Sequence, residues 1–146
     1  MKNIPQILQG NIAKDIRGSV RFINDFSFPN IKRFYHVTNA DTDTIRAFHG
    51  HMREEKYVYV PSGKALVCAV LLDHPIHPSP KNLVYKFILC ADTPQILHIP
   101  SRYANGVRAL ESQTNILFFS TATLKQSQAD DFRFPSDYWG REIWKI

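Results

Sequence analysis

Long hydrophobic runs are missing from this sequence, and no stretch approaches the ~20 apolar residues that a membrane-spanning helix needs. Cysteine is scarce, with 2 in 146 residues. Cys68 and Cys90 each lie inside an apolar run, which fits reduced core residues of a cytoplasmic protein better than a disulfide framework. Segment 1–14 has one early lysine but no long apolar stretch and no small-residue cleavage site, so no signal peptide is expected. There is no repeat, low-complexity tract or linker. Lysine plus arginine number 18 against 13 acidic residues, a net charge of +5, yet the cations are scattered and the longest cationic run is Lys32-Arg33. With no basic helix, RNA-binding signature or Cys/His finger, nucleic acid is disfavoured as a partner, and a diphosphate-bearing ligand fits the balance better.

The apolar set is 44% of the chain, enough to fill one core but hardly two, so a single domain over 1–146 is expected. A charged fraction of 21%, an aromatic fraction of 12% and a mean hydropathy of −0.26 exclude a disordered chain and a membrane protein. Period-two alternation runs through 19–23 and 31–37. Runs rich in β-branched and aromatic residues follow at 57–60, 65–72, 84–89, 96–99, 107–110 and 116–119. Turn chemistry separates them at Pro61-Ser62-Gly63, in the proline-rich stretch 74–82, at Asp92-Thr93-Pro94 and at Asn105-Gly106. Helical periodicity is confined to one turn within 4–13 and another within 124–130. Short strands at such regular spacing predict an all-β sandwich or barrel, with any small-molecule site in its interior or mouth.

The densest chemistry is Arg46-Ala47-Phe48-His49-Gly50-His51, followed by Arg53-Glu54-Glu55-Lys56. On a strand over 45–51, His49 and His51 share a face. On the next strand Lys56 and Val58 share one face, and Glu55 and Tyr57 the other. Three readings compete. The plain one is a solvated strand face. The second is a metal site of His49, His51 and Glu55, in the His-x-His spacing of the cupin superfamily, with Asn105 where a later histidine ligand would be expected. The third is acid/base catalysis: a neutral histidine takes a proton next to a carbonyl, a late aspartate holds its tautomer, and Lys56 stabilises the enolate. Elsewhere, Tyr57, Tyr59, Trp139 and Trp144 read as packing residues, Phe118 and Phe119 as core or pocket lining, and Arg102 and Arg108 as solvated.

The chain resembles the dTDP-4-dehydrorhamnose 3,5-epimerases, a family of cupin-type jelly rolls, from about residue 14 onward. Asp15-Ile16-Arg17-Gly18 is similar to the family's Asp-x-Arg-Gly, and Arg46-Ala47-Phe48-His49 to its Arg-Gly-Leu-His. Lys56 begins the strand leading to Gly63, as the family's lysine does, and Ser79-Pro80 resembles its Ser-Pro strand. Ile99-Pro100 through Ala104-Asn105-Gly106 resembles its Ile-Pro-x-x-Phe-Ala-His-Gly turn. Phe134-Pro135-Ser136-Asp137 with Gly140 and Trp144 is similar to its Trp-x-Asp…Gly-Ile-x-Trp ending, one residue longer. The first half also resembles the dTDP-sugar 3,4-ketoisomerases, through Ile31-Lys32-Arg33-Phe34-Tyr35 and Arg46-Ala47-Phe48-His49-Gly50-His51.

The resemblance implies an isomerase that needs no cofactor and no metal, acting on a nucleotide-linked 4-keto-6-deoxyhexose in deoxysugar and surface polysaccharide synthesis. It also implies a homodimer that exchanges N-terminal strands. His49 would be the base, Asp137 its orienting partner, Lys56 the enolate stabiliser, and Arg17 and Arg46 the ligands of the diphosphate or sugar. Tyr35, Asn105 and Phe118 would line the substrate, and His51 would be the second proton carrier of a ketoisomerase. The chain departs from the epimerase pattern where that family carries its acid. Phe118 and Leu124 stand in place of tyrosines, and neither has a proton to give. A non-catalytic sugar-nucleotide binder and a metal-dependent cupin remain as alternative functions.

Overall fold

The computed structural model describes residues 3–146. Its strands are β1 Gln6–Gln9, β2 Asn11–Asp15, β3 Gly18–Phe22, β4 Arg33–Val37, β5 Ile45–His51, β6 Lys56–Ser62, β7 Lys64–Leu71, β8 Val84–Cys90, β9 Gln95–Ile99, β10 Tyr103–Ala109, β11 Asn115–Ser120 and β12 Phe132–Arg133. One short helix, α1 Leu124–Gln128, and a terminal 3-10 turn, Arg141–Trp144, complete the described elements. A first sheet runs β1-β9-β6-β11-β4, a second runs β12-β5-β10-β7-β8, and β2 and β3 form a separate hairpin. All pairings are antiparallel. The fold is the expected all-β, cupin-type jelly roll. Among the described residues no helix is long and apolar enough to cross a membrane.

The expected helical turn within 4–13 is corrected by the structure: that segment forms β1 and β2. A single helical turn satisfies few backbone groups, whereas the free edge of β9 offers β1 a ladder, with Ile7 opposite Leu97. The turn expected within 124–130 is α1, opened by a capping box between Thr123 and Gln126. Gly63, at φ +78°, closes the β6–β7 turn where an added Cβ would lie 2.3 Å from Thr114 Oγ1.

The second sheet has two apolar faces. Its inner face packs Val67, Ala69, Tyr103 and Val107 against Val58, Val60, Leu97, Ile116 and Phe118. Its outer face gathers Phe48, Leu66, Cys68, Val70 and Leu72 under Phe134, Trp139 and Trp144 of the C-terminal segment. Trp139 Nε1 donates to Ser79 O and Trp144 Nε1 to Ser136 O, so both indoles bury with their N–H paired. Arg108 is corrected from a solvated residue to a clamp, donating to Thr42 O at 2.8 Å and to Trp144 O at 2.7 Å. Cys68 is buried and its thiol is pushed up to about 12 by desolvation, while Cys90 is half-buried. Burial outweighs the nearby Lys86 at Cys68, so that thiol lacks the setting of a reactive thiolate.

One irregularity positions the chemistry. Along the β5–β10 ladder His49 faces Asn105 and Arg46 faces Val107, so three steps on β5 match two on β10. Strict alternation would put Arg46 on the face opposite His49; the bulge brings both inside. Gly106 lies at this crossing, where an added Cβ would come within 2.4 Å of Ala47 Cβ and 2.8 Å of Trp144.

Candidate active site

Between the sheets, at the open side flanked by β4 and β5, lies a cavity of about 150 Å³ lined by Tyr35, Val37, Arg46, His49, Lys56, Asn105, Val107 and Phe118. The two-residue period of β4, β5, β6, β10 and β11 sends these side chains inward, except that of Arg46, which the bulge turns in. Tyr35 pairs with Phe118 across β4 and β11, and their rings stack at 5.0 Å. Lys56 is only 5% exposed; its Nζ donates to Asn105 Oδ1 at 3.3 Å and sits 5.8 Å from the centre of the Phe118 ring. Burial, more than any neighbour, brings its ammonium down to about 8. His49 is half-buried, and burial together with Arg133 and Lys56 holds its pKa below the ordinary value. A neutral ring at pH 7 follows, with neither nitrogen hydrogen-bonded to a described residue. Burial, reinforced by Glu54, pushes the Tyr35 phenol well above its usual range, so it stays protonated. Arg46 stands at the mouth, its Nε donating to Asn39 Oδ1 at 3.0 Å.

His51 lies on the same face of β5 but behind the cavity, 5% exposed. Its Nδ1 is 2.6 Å from Asp130 O and 3.0 Å from Glu54 Oε2. Glu54 has a fully buried side chain. Its Oε1 accepts from Arg33 Nη2 at 3.2 Å and from Ser120 Oγ, and its Oε2 accepts from Ser127 Oγ at 3.1 Å. The Arg33 guanidinium lies 4.9 Å from the centre of the Tyr35 ring, and its Nε is buried without a partner. Asp130 further accepts from the backbone N–H groups of Met52 and Arg53 at 2.9 and 2.8 Å, fastening the segment before β12 to the end of β5.

The structure therefore brings together His49, Lys56, Arg46, Tyr35, Asn105 and Phe118, with His51 adjoining. It does not bring Asp137 to His49. After β12 pairs Arg133 with His49, the chain crosses to the outer face of β5, bonding Phe134 to Phe48. Asp137 thus ends 52% exposed beside Arg141, in a depression with Ile45 and Trp144. The carboxylate whose charge acts on His49 is Asp131, just ahead of β12. Arg17 lies apart from the cavity too, in the β2–β3 hairpin, paired with Asp15 and 86% exposed. Glu55 cannot join His49 and His51 on one metal ion: it points to the outside of the first sheet, 3.2 Å from His98, whose ring stacks on Tyr57 at 4.7 Å. Among the described residues no cluster of three or more His, Cys, Asp or Glu side chains is arranged to hold a metal.

Sequence reasoning missed Glu54, Arg33, Ser120 and Ser127. Within the Arg53-Glu54-Glu55-Lys56 run the sequence singles out Glu55 and Lys56 but gives Glu54 no role, and only the β5–β6 turn carries Glu54 inward while Glu55 goes out. Asp131 did have a signal, as one of two acids two residues ahead of the tail motif that begins at Phe134.

No protein-family model matches the chain. QdtA, a sugar 3,4-ketoisomerase from Thermoanaerobacterium thermosaccharolyticum solved in complex with TDP, superposes with a TM-score of 0.71 over 95% of this chain and 94% of its own, at 18% identity. The rmlC epimerase of Mycobacterium tuberculosis gives 0.75 over 97% of this chain and 72% of its own, at 14% identity. The chain has the fold of the sugar-nucleotide epimerases and ketoisomerases. A dTDP-4-dehydrorhamnose 3,5-epimerase from Sulfolobus tokodaii agrees, with a TM-score of 0.74 at 20% identity over 92% of this chain and 78% of its own. In sequence, the chain is 33% identical over 94 residues to the spore coat polysaccharide biosynthesis protein SpsL of Bacillus subtilis. That match covers 64% of this chain and 61% of SpsL.

Proposed function

We propose that this chain is an isomerase of a dTDP-linked 4-keto-6-deoxyhexose, working in the cytoplasm on deoxysugars for a surface polysaccharide. One observation carries the reading: a neutral His49 with no hydrogen bond to a described residue shares a cavity with the buried ammonium of Lys56. A base beside a cation is what enolisation of a ketone requires. His49 takes the proton on the carbon next to the C4 ketone, the C–H electron pair moves onto the carbonyl oxygen, and Lys56 stabilises the resulting enolate. The ketone itself supplies the acidity. A cavity of about 150 Å³ has room for a sugar ring rather than a whole nucleotide sugar, so the diphosphate lies across the mouth at Arg46.

Within this class the geometry favours moving the keto group over inverting two centres. His49 and His51 lie on one face of β5, and Phe118 occupies the wall where an epimerase would present an acid. In keto transfer the C3 proton leaves to the base and the enediolate is reprotonated at C4, while the proton of the C3 hydroxyl passes to O4 as C3 becomes the new ketone. The neighbour fold of a QdtA variant solved with TDP-4-keto-6-deoxyglucose supports this substrate class. The β2–β3 hairpin, set apart from both main sheets with Ile16 and Val20 exposed, supports a homodimer in which the partner receives it and Arg17 reaches the neighbouring site.

Incubation with dTDP-4-keto-6-deoxyglucose in D₂O tests the proposal. Deuterium at C4 of a 3-keto product is expected. Deuterium at C3 or C5 with the 4-ketone retained would make the chain an epimerase, and no exchange with unchanged sugar would overturn the isomerase reading.

A further inference from the structure

We propose that Glu54 is the positioning residue of His51, holding its proton on Nδ1 so that Nε2 is the nitrogen that exchanges protons with the substrate. The argument begins with donors and acceptors. Both groups within reach of Nδ1, the Asp130 carbonyl at 2.6 Å and Glu54 Oε2 at 3.0 Å, can only accept. Nδ1 must therefore carry the hydrogen in the neutral ring. Nε2, on the opposite edge of the ring and without a hydrogen bond to any described residue, keeps the free lone pair.

Glu54 is itself held in place. With a fully buried side chain it accepts from Arg33, Ser120 and Ser127, donors of β4, β11 and α1, and this fixes its Oε2 3.0 Å from His51 Nδ1, whose one N–H points to the Asp130 carbonyl. A stability role alone is a poor account of this arrangement, because a buried ionic cluster is often no more stable than an apolar plug of the same size. An amide at this position would turn an N–H₂ toward at least one of those donors. The charges that reach His51 divide by sign: Glu54 and Asp130 favour its protonated form, while Lys56 of β6 opposes it along with burial. His49 precedes it on the same face of the strand.

The catalytic consequence rests on the proton-transfer reading above, whereas the tautomer does not, so the two can fail separately. ¹⁵N NMR of the imidazoles, with His51 assigned by difference against His51→Asn, should show Nδ1 protonated and Nε2 bare at pH 8. A proton on Nε2 would overturn the proposal whether or not any sugar is turned over. With dTDP-4-keto-6-deoxyglucose, Glu54→Gln should lower kcat by about 10–100-fold. It should also move the acid limb of the pH profile downward, since it removes a group that raises the affinity of His51 for protons. The double variant His51→Asn/Glu54→Gln should lose no more activity than His51→Asn alone, the mark of one residue acting through another. Multiplying losses, or a fall in rate that tracks only a lowered Tm with an unmoved pH profile, would make Glu54 merely structural. If Glu54→Gln does not fold, the wild-type spectrum decides.

Discussion

Strand β5 shows two different surfaces to the two sides of its sheet. Outward, Phe48 is fully buried and meets Trp139 edge-on at 4.8 Å and Trp144 at 5.5 Å. Inward, His49 has no hydrogen-bond partner among the described residues and His51 is tied to a buried carboxylate. The outer face is dry and close-packed, and burying a side chain the size of Phe48 contributes roughly 1.5–3 kcal/mol. The inner face holds a cation, a carboxylate and two imidazoles, groups that cost free energy when withdrawn from water. The C-terminal segment thus acts at a distance from the pocket. By covering the outer face it stabilises the strand whose inner face cannot stabilise itself.

The largest expected effect falls on the outer face. Phe48→Ala should destabilise the fold by about 3–5 kcal/mol, from lost burial and the cavity left under the two indoles. Urea unfolding measures it, and a loss below about 1 kcal/mol would end the idea that this face carries the strand. His49→Gln is the complement. It should cut kcat by roughly 10²–10³-fold and leave the unfolding midpoint nearly unchanged, since no hydrogen bond within the described residues is broken. If His49→Gln instead lowers the midpoint as Phe48→Ala does, the inner face is structural and the division between the two faces fails.

The same division explains what could be read from the sequence. Period-two alternation foretold that His49 and His51 share a face and that Lys56 parts from Glu55, because a strand's geometry is local. It could not foresee Arg46 turning inward, which depends on a bulge against β10. The late carboxylate was harder still. The tail motif pointed to Asp137, but the β12–β5 register decides which acid flanks His49, and that register is a contact between positions far apart in the chain. Glu54 was hidden for a third reason: within a run of four charges, only the β5–β6 turn distinguishes the acid that goes in from the one that stays out. Residues set by strand period were legible, and those set by bulges, turns and long-range pairing were not.

The smallest effect probes the cost of the inner face directly. Lys56 falls from 10.5 to about 8 on folding, so the unfolded chain binds more protons than the folded one between those values. Stability therefore rises with pH across that window, and below about pH 8 the full cost of burying the ammonium is present, on the order of 3 kcal/mol. Lys56→Met removes that cost but leaves Asn105 Oδ1 without its donor and Glu54 with Arg33 as its neighbouring cation. A net gain of about 1–2 kcal/mol at pH 7 is expected, shrinking as the pH rises toward 10.5. Urea unfolding of both proteins at pH 7 and pH 10 checks the sign. A variant less stable at pH 7, or an advantage that grows with pH, would show that Lys56 is buried at no cost to the fold. In wild type the same ammonium should set the basic limb of kcat/KM, with the rate falling as pH passes about 8 because a neutral amine no longer stabilises the enolate. On the proposed mechanism lysine is kept on the inner face for its charge, and the outer face of β5 offsets the stability it withholds.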